Sequence, residues 1–517
     1  MKSNPPYQLL IGAALAVWFG LGWPLVSRAD AFDQATVEHR PPRMFPEYSG
    51  TTIPPNIAPL NFVLEEPGTR FRVRIRSTQG HPIEVSSRTP SVVIPLQPWQ
   101  ALLRANTGQL LYLEVFARTQ PDRWVRFDTV TNTIAREEID GYLAYRLLKP
   151  LYNVYVNLGI YQRNLQNSEE TEVLHNRSFD HGCVNCHTFL NHNPDNMALN
   201  IRSKPSGNPM LLVRSNTVAK VAKTAGYLSW HPSGRLLAFS ANKLSLFYHT
   251  VGETRDVFDA ESDLGIYRVD SNTVVTPRAI ALPKYNETWP SWSPDGRYLY
   301  FSRAPQVGRQ HFRQVRYDIM RIRYDLEHDT WGEVETMVSA RETRLSANQP
   351  RVSPDGRFLL FCLCKYGNFP VYQPSSDLHV LDLQSRQLRR LDINSDQSDS
   401  WHSWSSNSRW IVFSSKRRDG LLARPHFSYV DREGNFHKPF LLPQKDPAFY
   451  DSFLKTYNVP ELVTGPVQVS QRELARAILQ PRQVLTPATA AKPADKAAGP
   501  AGAAPPHQET PVADRPR

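Results

Sequence analysis

The stretch Pro290-Ser-Trp-Ser-Pro-Asp-Gly-Arg-Tyr-Leu-Tyr-Phe-Ser302 is repeated along the second half of the chain. It consists of two apolar, aromatic-rich runs on either side of Pro294-Asp-Gly296. Proline presets φ and glycine accepts a positive φ, so such a turn reverses the chain with little strain. Related units lie at residues 228–240, before this one, and at 350–361 and 402–414, after it. The last has Ser406-Asn-Ser408 in the turn. Four strand–turn–strand units predict a repeated, mainly β architecture.

The unit Trp292-Ser-Pro-Asp-Gly-Arg297, with Phe301-Ser302 behind it, resembles the WD-like repeat of TolB-type β-propellers. The resemblance covers about residues 220–445 and implies a propeller over residues 216–480, with C-terminal closure. It also implies that the repeated Asp, Trp and Arg residues are blade scaffolding. The marked units are spaced more widely than one blade of roughly 40–50 residues, so the blades carry insertions or unmarked blades lie between them.

A second motif, Cys183-Val-Asn-Cys186-His187, has the C-x-x-C-H pattern of c-type haem attachment. Two thiols at this spacing can form thioethers to one porphyrin, and the adjacent imidazole of His187 can then ligate the iron as the proximal ligand. A zinc site would need a second ligand pair, which is missing nearby. A redox dithiol would not need the following histidine, and its usual βαβ pattern is absent, so a plain disulfide or a metal site is the remaining alternative. The motif predicts one covalent haem c.

The residues around this motif predict a short helical c-haem segment over residues 137–215, because Ile139, Leu143, Ala144 and Leu147 follow a helical spacing. For the sixth iron ligand the first candidate is Met197, since a thioether there would stabilise ferrous iron. An open site or a propeller residue is the alternative, and Arg202 is a candidate partner for a haem propionate. The remaining candidate ligands are Met210, His192, His181 and His175.

The N-terminal residues 1–31 resemble a signal peptide, with Lys2, an apolar run over Leu9–Val26 and a small-x-small site at Ala29-Asp-Ala31. An uncleaved anchor is the competing interpretation, because the run is long enough to span a bilayer. The chain is therefore expected in the periplasm or cell envelope, with no integral span once the signal is removed. We further predict an extended leader at 32–55, a β-sandwich-like domain at 56–136 and a disordered Pro/Ala-rich tail at 481–517.

Composition adds bounds on partners and fold. The 517 residues carry a formal net charge of +11, which suits either an acidic redox partner or general solubility. No nucleic-acid motif occurs.

Cys362 and Cys364 share one face of a strand and are expected to be buried, inert thiols. Taken together, the sequence predicts a mainly β protein: a TolB-type propeller preceded by a small sandwich and a helical haem segment.

The whole chain resembles a family of exported bacterial proteins that join a C-V-N-C-H haem segment to a TolB-type propeller, and the family implies no settled activity. The leading functional expectation is electron transfer by a mono-haem cytochrome that uses the propeller to dock a redox protein, after loading by the haem-attachment machinery. A haem sensor or structural envelope-binding module is one alternative. A haem enzyme, either a reductase or a peroxidase, is the other; the chain has no G-x-S-x-G hydrolase motif.

Overall fold

Six four-stranded antiparallel blades follow one another around a common axis in the computed structural model, which describes residues 35–120, 123–149, 157–203, 205–215, 217–247 and 256–489. From the inner to the outer strand, blade 1 is Thr456–Val463, Tyr142–Leu148, Gly159–Asn164 and Glu170–His175; blade 2 is Cys183–Leu190, Asn193–Arg202, Met210–Arg214 and Thr217–Val221; blade 3 is Leu228–Trp230, Leu236–Phe247, Asp256–Arg268 and Thr273–Val275. Blade 4 is Tyr285–Trp292, Tyr298–Pro305, Asp318–Asp325 and Thr330–Val338; blade 5 is Ser346–Val352, Phe358–Cys364, Asp377–Asp382 and Leu388–Arg390; blade 6 is Asp399–Trp404, Trp410–Ser415, Arg424–Tyr429 and Phe440–Leu441.

The turns of the repeat are stabilised by side chains in the same way in successive blades. In blade 4 the Ser293 hydroxyl donates to the Asp295 carboxylate at 2.5 Å and accepts from the backbone N–H of Tyr298 at 2.9 Å. Gly296 supplies the positive φ, 74°. Blade 6 keeps this arrangement although it lacks Pro-Asp-Gly, because Asn407 accepts from Ser405 at 2.6 Å. The different tripeptide Ser406-Asn-Ser408 therefore forms the same turn.

The ring is closed by a strand from the C-terminal part of the chain. Thr456–Val463 pairs antiparallel with Tyr142–Leu148, with Tyr142 opposite Val463 and Leu148 opposite Thr456. Each inner strand contacts the inner strands of the two neighbouring blades, and blade 1 meets blade 2 in the same manner. A propeller closed in this way joins residues about three hundred positions apart, so the first and last blade strands stabilise each other.

The predicted helical segment over residues 137–215 is wrong, because its described residues form the strands of blades 1 and 2. Tyr142–Leu148 is buried on both faces between neighbouring blades, and its apolar residues therefore do not alternate with polar ones. Because apolar residues occupy both faces of this strand, some of them also fall at helical spacing, which explains the wrong prediction. The propeller accordingly starts near residue 142 instead of 216, and blades 1 and 2 are the unmarked ones.

The N-terminal unit contains two sheets and a helix, Leu96–Ala105, around one core. The first sheet comprises Thr36–Glu38, Thr52–Ile53, Arg70–Arg76, Ile83–Ser87, Leu110–Gln120, Arg123–Phe127 and Val130–Ile134; the second comprises Met44–Phe45, Phe62–Leu64 and Ser91–Val92. Residues 35–55, predicted as an extended leader, thus supply three of these strands. The core continues into blades 1 and 6 through Trp410, whose Nε1 donates to the Glu137 carbonyl at 3.1 Å.

The C-terminal segment wraps the outside of the first three blades. The helix Gln471–Leu479 starts with a capping box between Ser470 and Glu473 and packs on blades 1 and 2. Val484–Leu485 then adds in parallel to the outer strand of blade 2, and Ala488–Thr489 to that of blade 3. The start of the predicted disordered tail is therefore ordered; the rest of the tail and the predicted signal peptide lie outside the described residues.

Short helices occupy connections between these elements: Asn176–Ser178, Arg278–Ile280, Arg309–Gln314, Pro370–Tyr372, Ala340–Thr343 and Phe449–Ser452. Within the described ranges, no helix is long and apolar enough to cross a bilayer.

Closure by the last strand gives a test of the fold. Replacing Leu462, which is fully buried in the closing strand, by alanine should lower the free energy of unfolding by about 2–5 kcal/mol, the cost of an apolar cavity. Leu454, which is 71% exposed just before that strand, is the matched control and should change it by no more than about 0.5 kcal/mol when replaced by alanine. Urea denaturation measures both, and equal effects would contradict the closure.

Candidate functional site at the propeller axis

The C-x-x-C-H motif lies on the inner strand of blade 2, where it takes the place of the repeat unit. Thr188 pairs with Ala198 and Phe189 with Met197. Blade 4 has corresponding pairs, Ser291 opposite Tyr300 and Trp292 opposite Leu299, although its β-bulge lies one residue later than that of blade 2. Counting back from these pairs, Cys186 is equivalent to Trp289, and His187 is equivalent to Pro290. The motif is therefore part of a blade and not of a separate domain.

Six equivalent residues, which we call the axial ring, meet at the level of Cys186: Cys186, Tyr227, Trp289, Gln349, Trp401 and Val459. Tyr227 stacks on Trp289 with ring centroids 3.3 Å apart, and Trp289 meets the edge of Trp401 at 5.1 Å. Tyr227 and Trp401 belong to opposite blades, yet their ring centroids are only 6.2 Å apart. Side chains of the axial ring therefore fill the channel at this level.

His187 is buried with both ring nitrogens free of hydrogen bonds to any described residue. Burial, followed by the positive charge of Arg146, lowers its pKa to about 3, and the Ala144 carbonyl nearby only partly opposes the shift. The imidazole is therefore neutral at pH 7. Metal-ligating histidines are likewise neutral, with one nitrogen committed to the metal.

The equivalent histidine of blade 6, His402, provides a comparison within the same chain. Its Nε2 lies 3.1 Å from the Leu360 carbonyl, and its Nδ1 lies 3.7 Å from the Cys362 sulfur. His402 is thus satisfied by the protein, whereas His187 at the same position of blade 2 is not. Cys362 and Cys364 are free and buried, as predicted.

The two thiols of the motif are free, buried and close to two guanidinium groups. Cys183 packs against Leu148 and Leu158 at the end of blade 1, while Cys186 belongs to the axial ring. Burial raises the pKa of both thiols, and the charges of Arg146 and then Arg202 oppose it. Arg146 also donates to the Asn185 side chain inside the motif at 2.9 Å. Arg202, predicted from the sequence, pairs directly opposite Cys183.

The candidate sixth ligands lie in different places. Met197 is fully buried between blades 1 and 2, on the same face of blade 2 as Phe189, whose ring contacts His187 at 5.8 Å. It also stands where blade 4 has Leu299, a core position. Met210 lies on the other face, between blades 2 and 3.

The candidate histidines also lie in different places and have different hydrogen-bond partners. Both ring nitrogens of His175 are hydrogen-bonded, to Asn157 and to the Arg177 N–H. His192 contacts the Leu462 carbonyl at 3.0 Å at the opposite end of the strand from Cys183. His181 is exposed and has a positive φ of 50°.

Sequence reasoning missed Arg146 and the axial ring. A pattern that could have found both is Tyr142-Leu-Ala-Tyr145, which matches Tyr298-Leu-Tyr-Phe301 of the marked repeat. Reading it as a repeat would have placed the following Arg146 on the second strand of a blade, beside the motif strand of the next one.

Comparisons with known proteins show a similarity in fold only. No family model and no curated protein matches the chain. The solved structures similar to it include TolB from Acinetobacter baumannii, with 13% identity, a TM-score of 0.41, and coverage of 71% of this chain and 85% of that one. The β-propeller domain of the Trilobed protease from Pyrococcus furiosus has 10% identity and a TM-score of 0.32, covering 65% and 95%. An auxiliary nutrient binding protein from Bacteroides thetaiotaomicron has 10% identity and a TM-score of 0.32, covering 75% and 98%.

The burial of His402 predicts a pH-dependent contribution to stability. Its folded-state pKa of about 3 lies below the usual value, so the unfolded chain binds a proton that the folded chain excludes. The contribution is complete above about pH 6.5 and is lost as the pH falls, by about 2 kcal/mol at pH 5. His402→Gln should therefore lose about 2 kcal/mol less stability between pH 7 and pH 5 than the wild type. Urea denaturation at the two pH values measures this difference, and the exposed His81→Gln serves as control. An unchanged pH dependence in His402→Gln would refute the assignment.

Proposed function

We propose that this protein is an exported mono-haem c-type cytochrome that transfers electrons, with haem bound covalently through Cys183 and Cys186 and His187 as the proximal iron ligand. The observation that carries the proposal is the imidazole of His187, which is buried, makes no hydrogen bond of ordinary geometry to the described residues and follows two free thiols in the chain. Haem c supplies a one-electron couple at its iron when bound.

The surrounding residues suit such a group. Arg146 and Arg202 place positive charge beside the thiols, which favours the thiolate form that reacts with the vinyl groups of haem. Arg146 also orients Asn185 between the two cysteines. The low pKa of His187 keeps its imidazole unprotonated and available as a ligand at neutral pH.

Burial of the thiols sets the order of events. Cys183 is 8% and Cys186 is 5% exposed, and the strand that carries them is enclosed by blades 1 and 3. Attachment enzymes cannot reach thiols in such a position, so attachment must precede the packing of blade 2. We therefore propose that the haem-attachment machinery acts on the exported, unfolded chain, in the periplasm or cell envelope.

The propeller would hold the haem in a rigid frame and present loops to a redox protein. The formal net charge of +11 on the whole chain favours an acidic partner, since opposite charges accelerate protein association.

A cofactor-free structural or sensory propeller is the second candidate, and the axial ring favours it. Cys186 makes the same kind of contact as Tyr227, Trp289 and Trp401, which the folding of any propeller blade can explain.

Haem attachment can be tested with cysteine variants. The wild type, expressed with a haem-attachment system, should retain haem through acid–acetone extraction, which removes non-covalent haem. Cys183→Ser with Cys186→Ser should lose it completely because both thioethers are removed. Cys362→Ser with Cys364→Ser alters an equally buried pair in blade 5 and should retain it. Absorption spectra and intact mass measure the outcome. Wild-type protein without covalent haem would contradict the cytochrome proposal and favour the cofactor-free propeller.

The role of Met197 as sixth ligand can be separated from its role in packing. Leucine at this position matches Leu299 of blade 4, so Met197→Leu should cost less than about 1.5 kcal/mol of stability. If the thioether ligates the iron, the ferrous Met197→Leu protein should bind carbon monoxide, whereas the wild type should not. Met210→Leu, on the other face of blade 2, should behave like the wild type. Identical spectra for Met197→Leu and the wild type would remove Met197 from the ligand set.

A further inference from the structure

A second ring of equivalent residues lies two positions beyond the axial ring, where the inner strands reach the turn side of the propeller. We call it the mouth ring, and it consists of Thr188, Ser229, Ser291, Arg351, Ser403 and Glu461. All six residues line one cavity of about 410 Å³ at the mouth of the channel. Blades 2, 3, 4 and 6 place a hydroxyl group here. Blade 5 places the positively charged Arg351, and blade 1 places the negatively charged Glu461.

Arg351 lines this cavity, where the carboxylate of Glu461 is the main negative charge that stabilises its guanidinium group. Its only side-chain hydrogen bond to the described residues is a long one, 3.5 Å from Nη1 to the Pro290 carbonyl. No carboxylate of the described chain lies within ion-pairing distance of its guanidinium group. A guanidinium in a partly enclosed cavity is stabilised by a bidentate carboxylate or a similar planar anion.

Glu461 is the single acidic residue among those lining the cavity, and it is committed to the neighbouring blade. Its Oε1 accepts from the Phe189 N–H at 2.9 Å and from the Thr188 hydroxyl at 3.3 Å. It therefore links blade 1 to blade 2 and leaves the guanidinium of Arg351 without a direct partner.

The walls of the cavity determine what kind of anion fits. They combine apolar and polar groups: the edges of Trp230, Trp292 and Trp404, each 3–7% exposed, and prolines from the turns lie among serine hydroxyls and the imidazoles of His192 and His402. Such walls favour an apolar or aromatic body, and a volume of this size suits a small organic molecule. An inorganic anion would leave this apolar surface in contact with water.

We propose that the mouth of the channel binds a small organic monocarboxylate, with its carboxylate on Arg351 and its apolar body against the tryptophan walls. The axial ring closes the channel above the cavity, so the ligand enters from the turn side. The site does not require haem, and it is therefore independent of the function proposed above.

Benzoate is the probe, and benzamide is the uncharged molecule of the same shape. Titration of the full-length protein, followed by tryptophan fluorescence and calorimetry at fixed ionic strength, should give saturable benzoate binding. Benzamide should bind at least about tenfold more weakly because it lacks the charge that Arg351 recognises. Sulfate at equal concentration should not compete, because it cannot occupy the apolar walls.

Variants test the assigned contact. Arg351→Gln should weaken benzoate binding at least about tenfold. Arg297→Gln, which removes an arginine whose side chain is 74% exposed on the turn of blade 4, should leave it unchanged. Glu461→Gln retains an acceptor for the Phe189 N–H but removes the negative charge, and it should tighten binding. Thermal unfolding establishes that each variant is folded.

The proposal is overturned if the wild type shows no saturable benzoate binding, if benzamide binds equally well, or if folded Arg351→Gln retains wild-type affinity. Should Arg351→Gln not fold, weaker or unchanged binding by Glu461→Gln would overturn it instead. The Cys183→Ser, Cys186→Ser protein should bind benzoate like the wild type, so loss of haem and loss of the ligand site are distinguished.

Discussion

The antiparallel pairing of Thr456–Val463 with Tyr142–Leu148 is the constraint on which the rest of the structure depends. It closes six blades into a ring, and a closed ring has no free sheet edge at its junction. Because closure brings all six inner strands to one axis, equivalent residues of every blade face each other there. The axial ring, the mouth ring and the environment of the C-x-x-C-H motif all follow from this geometry.

The two rings divide the channel into levels of different chemistry. At the axial ring, aromatic residues and Cys186 exclude water and fill the channel. Two residues further along, hydroxyl groups and one opposite-charge couple surround a cavity. Propeller blades repeat their core positions for packing but vary at the axis, and departures from the repeat there point to function more strongly than the repeated residues do. His187, at a position where blades 1, 4 and 5 have proline, and Arg351, at a position where blades 3, 4 and 6 have serine, are such departures.

The motif and the fold impose different demands on the same strand. As a blade strand, Cys183–Leu190 must bury Cys186 in the axial ring and Phe189 between blades 1 and 2. For the proposed haem, the same strand must expose two thiols to attachment enzymes, which attachment before blade packing would allow. The hydrogen-bonded His402 shows what a histidine at the equivalent position looks like when the protein alone satisfies it.

The sequence by itself determined the class of fold and the chemistry of the donors. The Pro-Asp-Gly turns and their flanking strands are local patterns, and two thiols followed by an imidazole are adjacent in the chain. The helical segment was misassigned because strands buried on both faces, such as Tyr142–Leu148, lose the alternation that distinguishes them from helices. Only the tertiary structure decided that Cys186 and Trp401 belong to one cluster at the axis, that Arg146 lies beside the motif, and that Arg351 and Glu461 share a cavity. These contacts depend on ring closure and strand register, which bring together residues far apart in the chain and leave no trace in local periodicity.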